Sequence, residues 1–172
     1  MSAMATERDG AIQAIRYQAQ VVHQVVHRNV DGITHQESLL QPEPGGNCLN
    51  WVMGHIVFAR QGWLTTVLGE APLFDAATIA RYKRGSSPLT DGSLALPFEE
   101  LVAAYDRAQA PLVAAMARLT SERLAEKAPF SPGNDPSETV GSLVAKLCFH
   151  EGYHIGQTAI LRRVLGRVGG IA

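Results

Sequence analysis

The chain has 172 residues, of which 46% are hydrophobic and 18% are charged, and its formal net charge is −1. This length and composition are typical of a single globular domain, expected to span residues 1–172, and not of a disordered chain. A nearly neutral chain has no basic field to attract phosphates, which argues against a nucleic-acid partner.

Two helices are predicted in the first part of the chain. Apolar residues recur there at three- and four-residue steps, as on one face of an amphipathic helix. The residues of this stripe are Ile12, Ile15, Ala19, Val22, Val26, Val30 and Ile33. The prolines and glycines of residues 41–47 end the first helix. A second helix is expected from about Leu49 to Leu68, with Asn47 as its N-cap and Gly69 at its end.

A long connection follows over residues 69–96, with a short helix expected near residues 76–84. Neighbouring antiparallel helices are usually joined by roughly two to eight residues, so this length predicts a crossover between helices two and three. The third helix is expected from Pro97 to about Leu119, with a kink at Pro111.

The fourth helix is expected to start after Asp135, with Pro136 at its first position, and to end near Arg167. No sustained period-two alternation predicts a strand. The sequence therefore predicts an all-α protein, a four-helix bundle with a long crossover between helices 2 and 3.

Several features indicate where the protein resides. Residues 1–10 contain no basic region followed by an apolar run, so no secretory signal is expected. No apolar stretch approaches the roughly 18 residues needed to span a membrane. Cys48 and Cys148 are too few for a disulfide framework, which favours a reducing compartment. We therefore expect a cytoplasmic protein without a membrane partner.

Three histidines are predicted to face the interior from two helices. His150 and His154 lie four residues apart on the apolar arc of the fourth helix, so their side chains are neighbours. His55 lies on the inward arc of the second helix. A single metal ion could bind all three. The alternative is a set of core histidines with hydrogen-bond partners, because burying an imidazole without a partner costs about 1–3 kcal/mol.

The remaining candidates have weaker patterns. His23 and His27 repeat the four-residue spacing on the first helix, but at roughly 60° and 100° from the centre of its apolar stripe. A histidine at such an edge can stay solvated, and the role of these two is left open. Cys48 is either a fourth ligand, a redox thiol or a small apolar filler, and the last is favoured.

The histidine pattern also resembles a known family. His55, four residues after Trp51, together with His150-x-x-x-His154-x-Gly-Gln157, is similar to the DinB/YfiT-like superfamily. The resemblance covers nearly the whole chain, including the four helices and the long connection. It implies a divalent metal ion, zinc or nickel first and iron or manganese as alternatives, held by His55, His150 and His154 with the remaining positions open.

Three neutral imidazoles leave the double charge of such an ion intact, and open positions are typical of catalytic sites. A bound thiol or water then has a lowered pKa. The first expectation is activation of a low-molecular-weight thiol for S-transfer to an electrophile, since relatives within the resembled family include thiol-dependent S-transferases and a maleylpyruvate isomerase. The alternatives are a hydrolase using metal-bound hydroxide and a non-catalytic stress-response binding protein.

Two further features belong to the fourth helix. Gln157 lies one turn beyond His154, where its amide could orient a ligand imidazole or touch the substrate; alternatively it is only a polar residue at the boundary of the buried face. Gly152 and Gly156 lie on the opposite face, although each glycine costs about 1 kcal/mol relative to alanine in a helix. Small residues one turn apart permit close approach of another helix, so we expect this face to pack tightly against a neighbouring helix, either within the chain or across a homodimer interface.

Overall fold

The computed structural model of the protein describes the backbone of residues 3–171 and the side chains of residues 12–171. The helices are α1 (Ala3–Val30), α2 (His35–Ser38), α3 (Leu49–Leu68), α4 (Ala76–Ala80), α5 (Phe98–Ala117), α6 (Ser121–Ala125) and α7 (Val140–Val164). Over residues 3–171 the only strand-like feature is an isolated bridge between Lys127 and Thr139. The predicted all-α class is therefore confirmed. No helix in this range is long and apolar enough to cross a membrane.

The four long helices position the residues of interest. Helix α1 contacts α5 and α7, and α3 contacts the same two helices. One cluster of buried apolar side chains includes Met53 and Leu101, and a second includes Trp63 and Leu143. Because α3 and α7 pack directly against each other, inward side chains from the two helices can meet.

Helix α3 ends where the sequence predicts, but its N-cap is a different residue. The prediction of Asn47 as the N-cap is wrong: Cys48 is the N-cap, and its side chain makes no capping hydrogen bond. The helix ends at Leu68 as predicted, and Gly69 follows with a φ of 71°. Glycine adopts this left-handed conformation without the steric penalty of a Cβ, which explains the stop.

Helix α7 starts later than predicted. Thr139 is the N-cap, and its hydroxyl accepts a hydrogen bond from the backbone N–H of Ser142 at 3.1 Å. The Ser142 hydroxyl in turn accepts from the backbone N–H of Thr139 at 3.0 Å, which completes a capping box. Asp135 instead caps a turn in the preceding loop. The helix ends at Val164, and Gly166 turns the chain with a φ of 75°.

The connection between α3 and α5 is anchored in the interior by Tyr82. This side chain is completely buried, and its hydroxyl donates to Asn50 Oδ1 at 3.0 Å and accepts from the backbone N–H of Leu96 at 2.8 Å. Its ring lies directly against Gly54, where an added Cβ would stand 2.1 Å from Tyr82 Cδ1. Only glycine leaves room for the ring, so the long connection is fastened to one turn of α3.

Candidate metal centre

The structure brings together the three histidines that the sequence places on inward faces. His55 projects from α3, and His150 and His154 project from α7. One ring nitrogen of each lies within 4.8 Å of the other two. The ring centroids of His150 and His154 are 4.4 Å apart, and those of His55 and His154 are 4.8 Å apart. Three imidazoles from two helices therefore converge on one point.

The hydrogen bonds of two of these rings define which nitrogen faces the shared point. His55 Nδ1 lies 2.6 Å from the backbone carbonyl oxygen of Tyr82, which can only accept, so Nδ1 carries the proton. His154 Nδ1 lies 2.7 Å from Oε1 of Gln157, an amide oxygen that also accepts. In both rings Nε2 is therefore the unprotonated nitrogen, although in His55 it also lies within hydrogen-bond distance of Nε2 of His150. Such oxygen partners on the far nitrogen are typical of metal-binding histidines.

His150 has fewer hydrogen bonds of its own. Its Nε2 lies 3.0 Å from Nε2 of His55, and its buried Nδ1 has no hydrogen-bond partner among the described residues. A buried polar atom without a partner costs about 1–3 kcal/mol. Nε2 faces the other two imidazoles, so His150 can offer one nitrogen to a shared cation.

The pKa values of the three histidines also suit cation binding. Burial, together with the neighbouring imidazoles of His154 and His55, lowers the pKa of His150 to about 3. Burial likewise lowers the pKa of His55 and the pKa of His154 below the ordinary histidine value. All three rings are therefore neutral at pH 7, and the neutral imidazole is the form that binds metals. The donor set fits a divalent ion.

Aromatic rings hold the imidazoles in orientation. Trp51 stacks on His55 with a centroid distance of 4.8 Å and an interplanar angle of 15°. Phe58 is nearly parallel to the same imidazole at 6.2 Å. Tyr153 meets His154 edge to face at 5.1 Å. These contacts limit rotation of the rings, so their nitrogens stay aimed at the shared point.

The two cysteines do not belong to this group. Cys48 is completely buried and is absent from the ligand-type clusters of the described residues. Burial raises the pKa of the Cys148 thiol to about 11, so this thiol remains protonated near neutral pH. Both cysteines are therefore buried side chains that do not join the three histidines.

A buried ion pair lies beside the histidines, and the spacing of the histidines does not predict it. Arg60 Nε and Nη2 donate to the two carboxylate oxygens of Glu151 at 2.6 and 3.0 Å, and both side chains are almost completely buried. Arg60 Nη1 also donates to the backbone carbonyl of Tyr105 at 3.1 Å. The pair thus joins α3, α5 and α7 next to His150. Its one sequence signal is a lone arginine within the apolar α3.

The all-α fold and the buried three-histidine group define a class of helical proteins with a candidate divalent-metal site. A sequence model described as the DinB superfamily matches residues 18–158. The chain belongs to the DinB superfamily. This membership and the histidine group together suggest divalent-metal binding.

One solved structure supports the fold independently. It is described as the crystal structure of the conserved protein of locus from Enterococcus faecalis, and it superposes with a TM-score of 0.68 at 14% sequence identity. The match covers 89% of this chain and 95% of the other. At such low identity the similarity concerns the fold alone. A search of the curated proteins found no match.

Proposed function

We propose that the protein binds a divalent metal ion through His55, His150 and His154 and uses it to activate a small thiol for S-transfer. The observation that carries this proposal is the convergence of three buried imidazoles, two of which have Nδ1 committed to an oxygen acceptor. Zinc and nickel are the favoured ions, because imidazole suits both and because nitrogen-rich sites bind manganese and iron less tightly.

The side chains of this site would determine both the charge and the geometry of the reaction. A bound divalent ion lowers the pKa of a coordinated thiol, so that the thiolate can attack at neutral pH. Neutral imidazoles, unlike thiolate or carboxylate ligands, do not reduce the charge available for this effect. The Tyr82 carbonyl and Gln157 hold two rings in place, which makes them positioning groups. The thiol would release its proton to solvent, its sulfur would form a bond to the electrophilic carbon, and the leaving group would depart with the electron pair of the bond that breaks.

We expect His154→Ala to remove one bound zinc or nickel ion per chain and to abolish thiol-dependent turnover. The experiment uses tag-free protein, metal analysis and a panel of glutathione, bacillithiol and mycothiol with a chlorodinitrobenzene electrophile. His35→Ala is the matched control because His35 lies outside the group, where its Nδ1 accepts from the backbone N–H of Phe98. It should retain both the ion and the turnover.

Three results would contradict the proposal in different ways. Ester hydrolysis that needs the metal but no thiol would favour a metal-dependent hydrolase. A metal-loaded protein inactive in every assay would favour a non-catalytic binding protein. Unchanged metal content after His154→Ala would show that the three histidines do not form the metal site.

We also propose that α7 forms a homodimer interface on the face opposite the histidines. Gly152 and Gly156 are exposed, and an added Cβ at either position would meet no atom within 4 Å. Exposed apolar side chains lie on the same helix, with Phe149 at 73% and Ile160 at 60%. Exposed apolar side chains on one helix are a feature of interaction sites, and the glycines permit close approach of a second α7.

Gly152→Leu is expected to convert the dimer to a folded monomer, because the new side chain has open space within its own chain. The measurement is size-exclusion chromatography with light scattering. Gly10→Leu is the control, since Gly10 also has no atom within 4 Å of an added Cβ. A monomeric wild-type protein, or a Gly152→Leu variant that remains dimeric, would overturn the interface.

A further inference from the structure

A second group of ligand-type side chains lies outside the first site, between α1 and α5. His23 Nε2 and His27 Nε2 approach the same carboxylate oxygen of Asp106, at 2.9 and 2.6 Å. One ligand atom of each residue lies within 4.8 Å of the other two. The sequence predicts two solvated edge histidines here, but the structure brings both onto a carboxylate from another helix.

The ring of His23 packs against buried side chains of the core. His23 stacks on Tyr105 with a centroid distance of 5.2 Å and an interplanar angle of 14°. Tyr105 is completely buried and packs in turn against the guanidinium of Arg60, which lies 3.7 Å from its ring centroid. The two histidine rings are 4.6 Å apart. A rigid base therefore holds His23, and His27 lies one helical turn away on the same face.

The outer side of the group is open to solvent. Two grooves, of about 650 and 750 Å³, run between α1 and α5, and both are lined by His27 and Asp106. The side chains of His23, His27 and Asp106 are 25%, 40% and 44% exposed. A bound ion would therefore keep open coordination positions accessible to water or a small ligand. Neither groove includes the histidines of the first site.

The charge around the group permits a cation. Arg60 lies beneath it, but Glu151 neutralises this guanidinium with two hydrogen bonds. The first groove also contains one basic residue, Arg28, and two acidic residues, Asp31 and Glu99. Together with Asp106, the acidic side chains outnumber the basic ones, so the net charge around the group is negative.

The distances require only a small adjustment of the carboxylate. Metal bonds of roughly 2.0–2.2 Å place adjacent ligand atoms about 3.0–3.5 Å apart. The observed separations of 2.6 and 2.9 Å are shorter, so Asp106 would have to withdraw by less than about 1 Å. Its exposure permits this movement, and the two histidines are its only hydrogen-bond partners within the described residues.

We propose that His23, His27 and Asp106 form a second binding site, for a divalent first-row transition-metal ion such as zinc. Two imidazoles and one carboxylate with open positions are a donor set that zinc and its neighbours accept in proteins. The alternative is a hydrogen-bonded cluster in which both imidazole N–H groups donate to Asp106. The two interpretations differ in metal stoichiometry, and the second site does not depend on the first.

The test disrupts the first site by substitution and measures how many zinc ions the chain still binds. In tag-free His154→Ala protein, isothermal titration with zinc should give one ion per chain, and cobalt(II) should produce a visible ligand-field spectrum. Adding Asp106→Asn should weaken zinc binding at least tenfold, and adding His27→Ala should abolish both signals. Gln24→Ala, which changes a residue of the second groove that is not a ligand, should leave the titration unchanged.

The outcomes separate this proposal from the thiol chemistry of the first site. If His154→Ala protein binds no zinc, or if binding persists after His27→Ala, the second site is overturned. If the wild-type protein binds a single ion that is lost with His27→Ala and kept with His154→Ala, the second site stands and the first fails. His27 and Asp106 are partly exposed but His154 is buried, so unaltered circular dichroism spectra would establish that each variant folds.

Discussion

Glu151→Gln is expected to lower the free energy of unfolding by about 3–5 kcal/mol, a large share of the stability of a domain this size. Arg60 is completely buried and Glu151 is 3% exposed. The substitution would leave the guanidinium in the interior without its countercharge, although the hydrogen bond to the Tyr105 carbonyl would remain. Removal of one partner of such a pair costs far more than the pair itself contributes.

The measurement is urea denaturation followed by circular dichroism, with Glu126→Gln as the matched control. Glu126 pairs with Arg123 on the surface, and their side chains are 53% and 41% exposed. Exposed pairs typically contribute less than about 1 kcal/mol, so the control should change stability little. A double variant, Arg60→Met with Glu151→Leu, should be less destabilised than the sum of its two single variants. Equal losses in Glu151→Gln and Glu126→Gln would contradict the prediction.

The long helices and the inward histidines could be predicted because both depend on local periodicity. An apolar stripe reports which face of a helix is buried, and His55, His150 and His154 share such faces. Residues one turn apart on α7 are neighbours in any packing arrangement. The convergence of the third histidine required that α3 and α7 be in contact with these residues at the same level, which the structure shows. Thiol transfer stays a prediction.

Partners from distant parts of the chain were not predictable in the same way. Glu151 lies roughly 100° from His150 on the helical wheel, and nothing local specifies whether that direction meets solvent or Arg60. Asp106 has no sequence pattern that links it to His27. The start of α7 was misplaced because Asp135 and Thr139 are both favourable N-caps, and the choice depends on where the preceding loop packs.

Tyr82 shows how such a distant contact can control the site. Its backbone carbonyl accepts from His55 Nδ1 at 2.6 Å, and its ring occupies the space left by Gly54. The hydroxyl is fixed by two hydrogen bonds, so the ring cannot shift without breaking them. A single glycine on α3 therefore permits the connection to approach and to orient a candidate ligand one residue away.

Gly54→Ala should accordingly destabilise the protein by about 1–3 kcal/mol through overpacking and weaken zinc binding at the first site about 10–100-fold. The new Cβ would lie 2.1 to 2.5 Å from three ring atoms of Tyr82, far inside contact distance. Displacement of Tyr82 would remove the carbonyl that holds the proton on His55 Nδ1. Zinc titration in a His27→Ala background reads the first site alone, and urea denaturation gives the stability.

Gly62→Ala on the same helix is the matched control, because an added Cβ there meets no atom within 4 Å. Alanine is favoured over glycine in a helix interior, so this control should gain about 0.5–1 kcal/mol and keep its zinc affinity. If Gly54→Ala loses stability but binds zinc as tightly as Gly62→Ala does, the Tyr82 carbonyl does not position His55. Loss of both properties together would show that packing of the connection, and not only the stacking of Trp51 and Phe58 within α3, sets the orientation of His55.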